Sequence, residues 1–484
     1  MTELHFQPAH ELARQIKARE ISAVELLEHY LARIEAHNPA LNAIIWMDPT
    51  RAREAATAVD VAIARGDTLG PFAGVPMTLK ESFQVAGTPT TWGIPEFAGT
   101  TTETTALAAE RLMASDAVFV GKTNVPIHLA DWQSFNAIYG TTNNPWNLEM
   151  TPGGSSGGSV AALAAGLTAL EAGSDIGASI RNPAHYCGVL GLKPTYGLIP
   201  PRGQALPGIV AAADISVVGP LTRSARDLDL ALSVMAGPDL LDDAGWRVEL
   251  PDPPQKALKD FRVAIKLDDP NAEVDRAYQD KLQSLADALA KAGATVSDTA
   301  RPDIDTRRLH DVYVLLLRAA TSGRMPEADV ERWRAAASAL DPDDRSYAAQ
   351  MARGNTLSHR DWLVLNNERH AMRFKFAEFF RDWDILLTPA AASAAWPHDQ
   401  AGERHERTIT VNNHQVPTTD QLFWAGYSGV VYLPSTVGPA GCLDSGLPVG
   451  YQAIAAHLGD RTAIRFAECV EREIGGFTPP PAYA

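Results

Sequence analysis

The chain has 484 residues with 58 acidic and 42 basic side chains, a formal net charge of −16, so it can bury a large core and lacks the basic balance of a surface built to gather phosphates. Its three cysteines, Cys187, Cys442 and Cys469, are odd in number and far apart, which argues against a disulfide framework or a zinc site and points to a reducing compartment. The longest near-apolar run, 160–170, is far too short to span a bilayer, and no basic-then-apolar leader opens the chain, so the expectation is a cytoplasmic protein with a small-molecule partner, no nucleic acid and no membrane.

Ser22-Ala23-Val24-Glu25 reads as a capping box opening a helix with Leu26, Leu27, Tyr30, Leu31 and Ile34 on one face, stopped at Asn38-Pro39. A second helix is predicted over about 51–64, ended by Gly66. From there to about Val218, short apolar strands (75–79, 117–120) alternate with helices (104–113, 158–167) and Gly-rich turns, the pattern of an α/β layered core. A strand at 261–265, a helix over about 274–292 capped by Gly293, and a strand at 294–296 continue the sheet. Residues 306–383 predict a run of helices, one of them capped at Ser358, without the Gly clusters of the earlier part. This stretch, about 300–383, reads as a variable helical elaboration on the substrate side, placed to act as a lid. No low-complexity linker and no internal repeat divides the chain, so one domain over 1–484 is expected.

Lys80 closes the strand at 75–79. Ser155 lies in Pro152-Gly153-Gly154-Ser155-Ser156-Gly157-Gly158-Ser159, and Ser179 in Ser174-Asp175-Ile176-Gly177-Ala178-Ser179-Ile180-Arg181. One amine and two hydroxyls supply a base, a proton relay and a nucleophile, enough to cleave an amide without histidine, metal or cofactor. A plain Gly/Ser loop is ordinarily a flexible turn. Here paired glycines flank Ser155-Ser156 and lead into an alanine-rich helix, which gives the backbone dihedrals that side chains forbid. Gly153-x-Ser155-x-Gly157 formally matches a hydrolase nucleophile elbow, but 147–152 is a poor strand. Gly121-Lys122-Thr123 fails as a P-loop tail because Asp116 stands where that loop needs glycine.

A lysine with its ordinary pKa of about 10.4 is almost wholly protonated at pH 7, so a useful base must be buried or sit near positive charge. Glu81 would oppose this, but alternation along an extended segment turns it to the other side. The turn 176–179 offers consecutive N–H groups where a helix begins, suited to a developing oxyanion. Asp175 and Arg181 are positioned to hold it by a charge-assisted bond. Cys187, among apolar residues, reads as a packed thiol, and the 13 histidines show no metal-binding spacing.

These segments, with Cys187-Gly188-Val189-Leu190-Gly191-Leu192-Lys193-Pro194-Thr195, Gly121-Lys122-Thr123-Asn124, Gly219-Pro220-Leu221-Thr222-Arg223, Leu387-Thr388-Pro389 and Gly446-Leu447-Pro448-Val449-Gly450, resemble the amidase signature family in the family's order. The resemblance covers most of the chain, with a signature core at about 74–220. It implies an α/β fold with a mixed central sheet flanked by helices, no cofactor and no metal. It also implies a Ser-cisSer-Lys triad: Lys80 as base, Ser155 as relay on a cis peptide, and Ser179 as nucleophile. Ile176, Gly177 and Ala178 would form the oxyanion hole, supported by Ser156, Asp175 and Arg181. Ala178 stands where glycine is commoner in the family.

The pocket is less legible. Trp92, Trp132, Phe135, Ile138 and Tyr139 lie in segments expected near the triad, and Phe423, Trp424 and Tyr427 form a later cluster. Aromatics in such segments serve the core as readily as a pocket; together they suggest an apolar or aryl substrate. The leading expectation is a stand-alone serine amidohydrolase for an amide or carbamate (urethane), with esterase side activity, working as a monomer or homodimer. The alternative is the glutaminase subunit of a tRNA-dependent amidotransferase. Such subunits usually carry Asp-Thr-Gly-Gly-Ser-Ile-Arg-Gln where this chain has Asp175-Ile176-Gly177-Ala178-Ser179-Ile180-Arg181-Asn182, which favours the first. A third alternative, a binding protein that kept the fold and lost turnover, is argued against by the retention of Lys80, Ser155 and Ser179.

Overall fold

Eleven short segments pair into one mixed sheet in the computed structural model, which describes residues 3–484. In chain order they are β1 (Ile44–Met47), β2 (Pro76–Lys80), β3 (Val118–Thr123), β4 (Leu170–Asp175), β5 (Leu190–Lys193), β6 (Val217–Thr222), β7 (Arg262–Ile265), β8 (Thr295–Ser297), β9 (Ile385–Pro389), β10 (Ser435–Cys442) and β11 (Pro448–Ile454). Their order across the sheet is β1-β3-β2-β4-β6-β5-β10-β11-β9-β7-β8. The pairs β3/β2, β2/β4, β9/β7 and β7/β8 are parallel. The others are antiparallel, so the sheet is mixed, as the α/β expectation requires.

Helices cover both faces, which is why β2, β3, β4, β5, β6 and β9 are buried along their whole length. Strands covered on both faces should read as continuous apolar runs. Thr78, Lys80, Glu171, Ser174 and Asp175 break that rule while fully or nearly buried. Buried polar groups on this scale require partners: Thr78 meets Glu171 within the sheet, while Lys80, Ser174 and Asp175 lie together at the C-terminal ends of β2 and β4.

The predicted elements are found with small shifts in their ends. The Ser22 capping box is present, but its helix runs from Ala23 through Pro39 to Leu41 rather than stopping at Asn38. Pro39 is tolerated because the last turn is closed by other groups. Asn42 takes a left-handed conformation and donates to Asn38 O at 2.7 Å, and the Asn38 side chain accepts from Ala43 and Ile44. The predicted helical stretch after 300 comprises Thr306–Ser322, Glu327–Ala339, Tyr347–Asn355 and His359–Asp382. Ser358 caps the last, accepting from Asp361 N at 3.1 Å. Among the described residues, no helix is long and apolar enough to cross a membrane.

Candidate active site

Lys80, at the end of β2, points its amine into the gap beside β4, where Nζ lies 2.6 Å from Ser155 Oγ and 3.0 Å from Ser174 Oγ. Lys80 is 0 % exposed, Ser155 1 % and Ser179 6 %, so accessibility increases from amine to second hydroxyl. Burial brings the Lys80 amine down to about 7, although Asp175 and Glu171 pull the other way. Glu171 is itself pushed up to about 8 by burial, while its carboxyl accepts from Thr78 Oγ1 at 2.6 Å. A carboxyl that stays largely protonated near neutral pH exerts less pull on its neighbouring amine. Glu81 faces away, held by Thr91 and Trp92, as strand alternation predicts.

Ser155 enters this gap through a cis Gly154–Ser155 peptide. The loop presses close to its surroundings: a Cβ on Gly154 would lie 2.4 Å from Asp131 O, and one on Gly158 would lie 2.4 Å from Asn124 N. Only glycine fits such backbone contact, which is the physical content of the doubled Gly-Gly pattern. Ser156 N donates to Ser179 O at 3.1 Å and so ties the loop to the second serine turn.

That turn is wrapped around one carboxylate. Asp175 accepts from Ala178 N (2.9 Å), Ile180 N (3.1 Å) and Arg181 N (3.3 Å), and from Arg181 Nε (3.0 Å) and Nη2 (2.9 Å). Burial opposes ionisation of Asp175, but the Arg181 guanidinium holds the carboxyl below its ordinary value. Arg181 also donates Nη1 to Ala425 O, Ser428 Oγ and Gln452 Oε1. The buried pair therefore anchors the turn to the helix Leu422–Gly429 and to β11.

The expected donor set for an oxyanion needs one correction. The Ala178 N–H is already committed to Asp175 Oδ1, because the residue's positive φ of 72° curls the chain back onto that carboxylate. Tyr313 Oη donates to Ile176 O at 2.8 Å and Trp132 Nε1 donates to Gly177 O at 2.8 Å. In a planar trans peptide the N–H opposes the carbonyl, so the first bond aims Gly177 N–H away from Tyr313. Among the described residues, no protein acceptor meets the N–H of Ile176, Gly177 or Ser179.

The structure separates the aromatic candidates. Trp132 touches the turn directly, and Leu422 and Tyr313 complete the wall beside Gly177. Phe423 and Trp424 turn inward, packed on each other and on Tyr427. Phe135, Ile138 and Tyr139 belong to a hairpin organised by Asn136, whose Oδ1 accepts from the N–H of Ile138 and Tyr139. Cys187 is buried, which pushes its thiol up. Sequence reasoning missed Ser174, although it lies in the quoted octapeptide, and Gln204, whose Nε2 donates to Ser82 Oγ and Ser174 Oγ, both at 3.1 Å. No spacing signal marks Gln204. Among the described residues, no group of three or more His, Cys, Asp or Glu side chains could hold a metal ion.

The family model described as Amidase matches residues 25–464. The chain belongs to the amidase signature family. The A subunit of the glutamyl-tRNA(Gln) amidotransferase of Anaeromyxobacter sp. (strain K) is 32% identical over 98% of this chain and 99% of its own length. Its namesake from Carboxydothermus hydrogenoformans (strain ATCC BAA-161 / DSM 6008 / Z-2901) is 31% identical, covering 97% and 98%. Among solved structures, a bacterial aryl acylamidase of the amidase signature family superposes with a TM-score of 0.80 at 25% identity, covering 98% of this chain and 97% of its own. A protein from a vestigial complex, described as revealing the origins of an s-triazine catabolic enzyme, gives 0.81 at 28% identity, covering 97% and 99%. The fold is therefore that of an amidase signature hydrolase acting on C–N bonds.

Proposed function

We propose that this amidase signature protein cleaves an amide C–N bond through an acyl-enzyme on Ser179, with Ser155 as relay and Lys80 as base. The observation that supports this reading most directly is a fully buried amine, brought down to about 7, at 2.6 Å from a serine hydroxyl. Neutral Lys80 takes the Ser155 proton as Ser155 takes that of Ser179, and Ser179 Oγ attacks the carbonyl carbon. The carbonyl oxygen becomes an oxyanion that the N–H groups of Ile176, Gly177 and Ser179 are free to meet. The relay then runs backward and delivers the proton to the leaving nitrogen, a step an amide needs because an amine anion leaves poorly. Water attacks the resulting ester with the same base, releasing the acid and restoring Ser179.

Two readings of the substrate remain distinct. The full-length likeness to the glutamyl-tRNA(Gln) amidotransferase proteins favours glutamine as the amide, with the ammonia passed on inside a cytoplasmic complex. The wall of Trp132, Tyr313 and Leu422 favours an apolar or aryl amide or carbamate, cleaved by a monomer or homodimer with esterase side activity. A fluorophosphonate probe should label Ser179, as located by mass spectrometry, and S179A should abolish both labelling and turnover. Labelling elsewhere would discard the mechanism. Glutaminase activity with copurification of a tRNA-binding protein decides for the first substrate; turnover of aryl amides, esters or carbamates by the pure chain decides for the second.

A further inference from the structure

Two arginines meet at the rim of this site, and among the described residues neither makes a direct ion pair with a carboxylate, although the field of Asp131 reaches Arg404. Arg318, on the helix Thr306–Ser322, places its guanidinium 5.3 Å from the centre of the Tyr347 ring and donates Nη2 to Tyr347 Oη; its Nε is buried without an acceptor. Arg404 lies 5.0 Å over the Trp132 ring and donates Nη2 to the same Tyr347 Oη at 3.3 Å. One phenol oxygen thus serves two guanidinium groups. Such forks bind best to an anionic, planar pair of oxygens, which a phenol does not provide. Burial lowers Arg318 below the ordinary arginine value; Tyr347 opposes the shift and the neighbouring Arg404 cation adds to it.

The nearby acid is already engaged. Asp131 accepts from Arg407 Nη1 at 2.7 Å, and Arg407 also donates to Ala401 O and Gly402 O, which fixes the loop carrying Arg404. The two arginines are linked to the nucleophile turn from both sides. Trp132, under Arg404, bonds Gly177 O; Tyr313, on the helix of Arg318, bonds Ile176 O.

We propose that Arg318 and Arg404 form an anion subsite for a carboxylate carried by the amide substrate, remote from the bond that is cleaved. The proposal rests on the amide-hydrolase reading and narrows its substrate class: the apolar wall holds the body of the molecule and the two guanidinium groups hold its charged end. Tyr347 keeps them in register between substrates.

The test uses the S179A protein, titrated calorimetrically with monoanilides of the straight-chain diacids from succinate to suberate and with 4-acylaminobenzoates. Each is paired with a neutral counterpart ending in a methyl group. At least one acid should bind about tenfold or more tightly than its neutral partner, as charged hydrogen bonds predict. That advantage should vanish in S179A/R404Q and S179A/R318Q, and shrink as salt is raised. Equal binding of acids and neutral partners, or an advantage that survives both substitutions, overturns the subsite. Labelling of Ser179 in the single variants R404Q and R318Q verifies that the fold is intact; should R318Q unfold, R404Q decides alone. Turnover by the unmodified chain is read separately. Arginine-dependent binding without hydrolysis of any amide keeps the subsite and removes the amidase reading, whereas hydrolysis with no preference for acids does the reverse.

Discussion

Gln204 holds Ser174 by a 3.1 Å bond from Nε2 to Oγ, and that same oxygen lies 3.0 Å from the Lys80 amine. Both hydrogens of Nε2 are spent, one on Ser174 and one on Ser82, so Ser174 Oγ keeps a single free acceptor position for Lys80. In Q204L the Ser174 hydroxyl loses the donor that orients it beside Lys80, and kcat/KM should fall about tenfold, the worth of one buried hydrogen bond. In Q204E the added negative charge favours the ammonium form, so the alkaline rise of kcat/KM should shift upward by roughly one pH unit. An unmoved profile in Q204E would contradict this positioning role.

Activity should rise with pH through about 7 as Lys80 loses its proton. Stability follows the same residue. The folded value lies below the unfolded value of about 10.4, so between the two the unfolded chain binds a proton that the folded chain does not. Stability is therefore lowest below pH 7 and climbs toward about 10.4. Burial brings Lys122 and Lys193 to about 7 as well, so all three lysines share this slope. K80M should lose at least about a thousandfold in activity while reducing the slope in urea melts taken across that range, against the opposite slope that Glu171 contributes up to about pH 8. A K80M protein less stable than wild type at pH 7 would argue against the buried-amine account.

Breaking the Asp175–Arg181 pair leaves one charge buried without its partner. D175N and R181M should each lose about 3 to 5 kcal/mol of stability by denaturant titration. Because the carboxylate also gathers three backbone N–H groups of the nucleophile turn, D175N should abolish labelling of Ser179 even where it remains folded. A loss under about 1 kcal/mol would be the signature of a solvated pair instead.

Ala178 adopts a φ of 72°, a conformation that costs a side-chain-bearing residue about 1 to 2 kcal/mol. A178G should relieve that strain against a smaller entropic cost, so the melting temperature should hold or rise by about one degree. A clear drop would show that the Ala178 methyl packs usefully enough to outweigh the strain.

The sheet is legible in the sequence, and the three residues proposed as a triad stand out there, because the signals are local. Lys80 ends an apolar run, and the glycines around Ser155 mark backbone contact too close for a Cβ. Ser156, Asp175 and Arg181 belong to the same contiguous motifs. The rest depends on contacts between segments far apart in the chain. Gln204 reaches Ser174 from a loop without periodicity, and Arg318, Tyr347 and Arg404 converge from three elements separated by 29 and 57 residues along the chain. Ala178 reads as an oxyanion donor because the turn offers consecutive amides; which amide a carboxylate occupies is decided by the dihedrals, which the residue types do not reveal. Composition groups Phe423 and Trp424 with the wall, yet the helix that carries them presents Leu422 to Gly177.

Exposure increases from Lys80 through Ser155 to Ser179, so the amine proposed as base is the member of the three most completely shut away from solvent. Amine-directed acylating reagents added to the folded protein should therefore leave Lys80 unmodified while exposed lysines react.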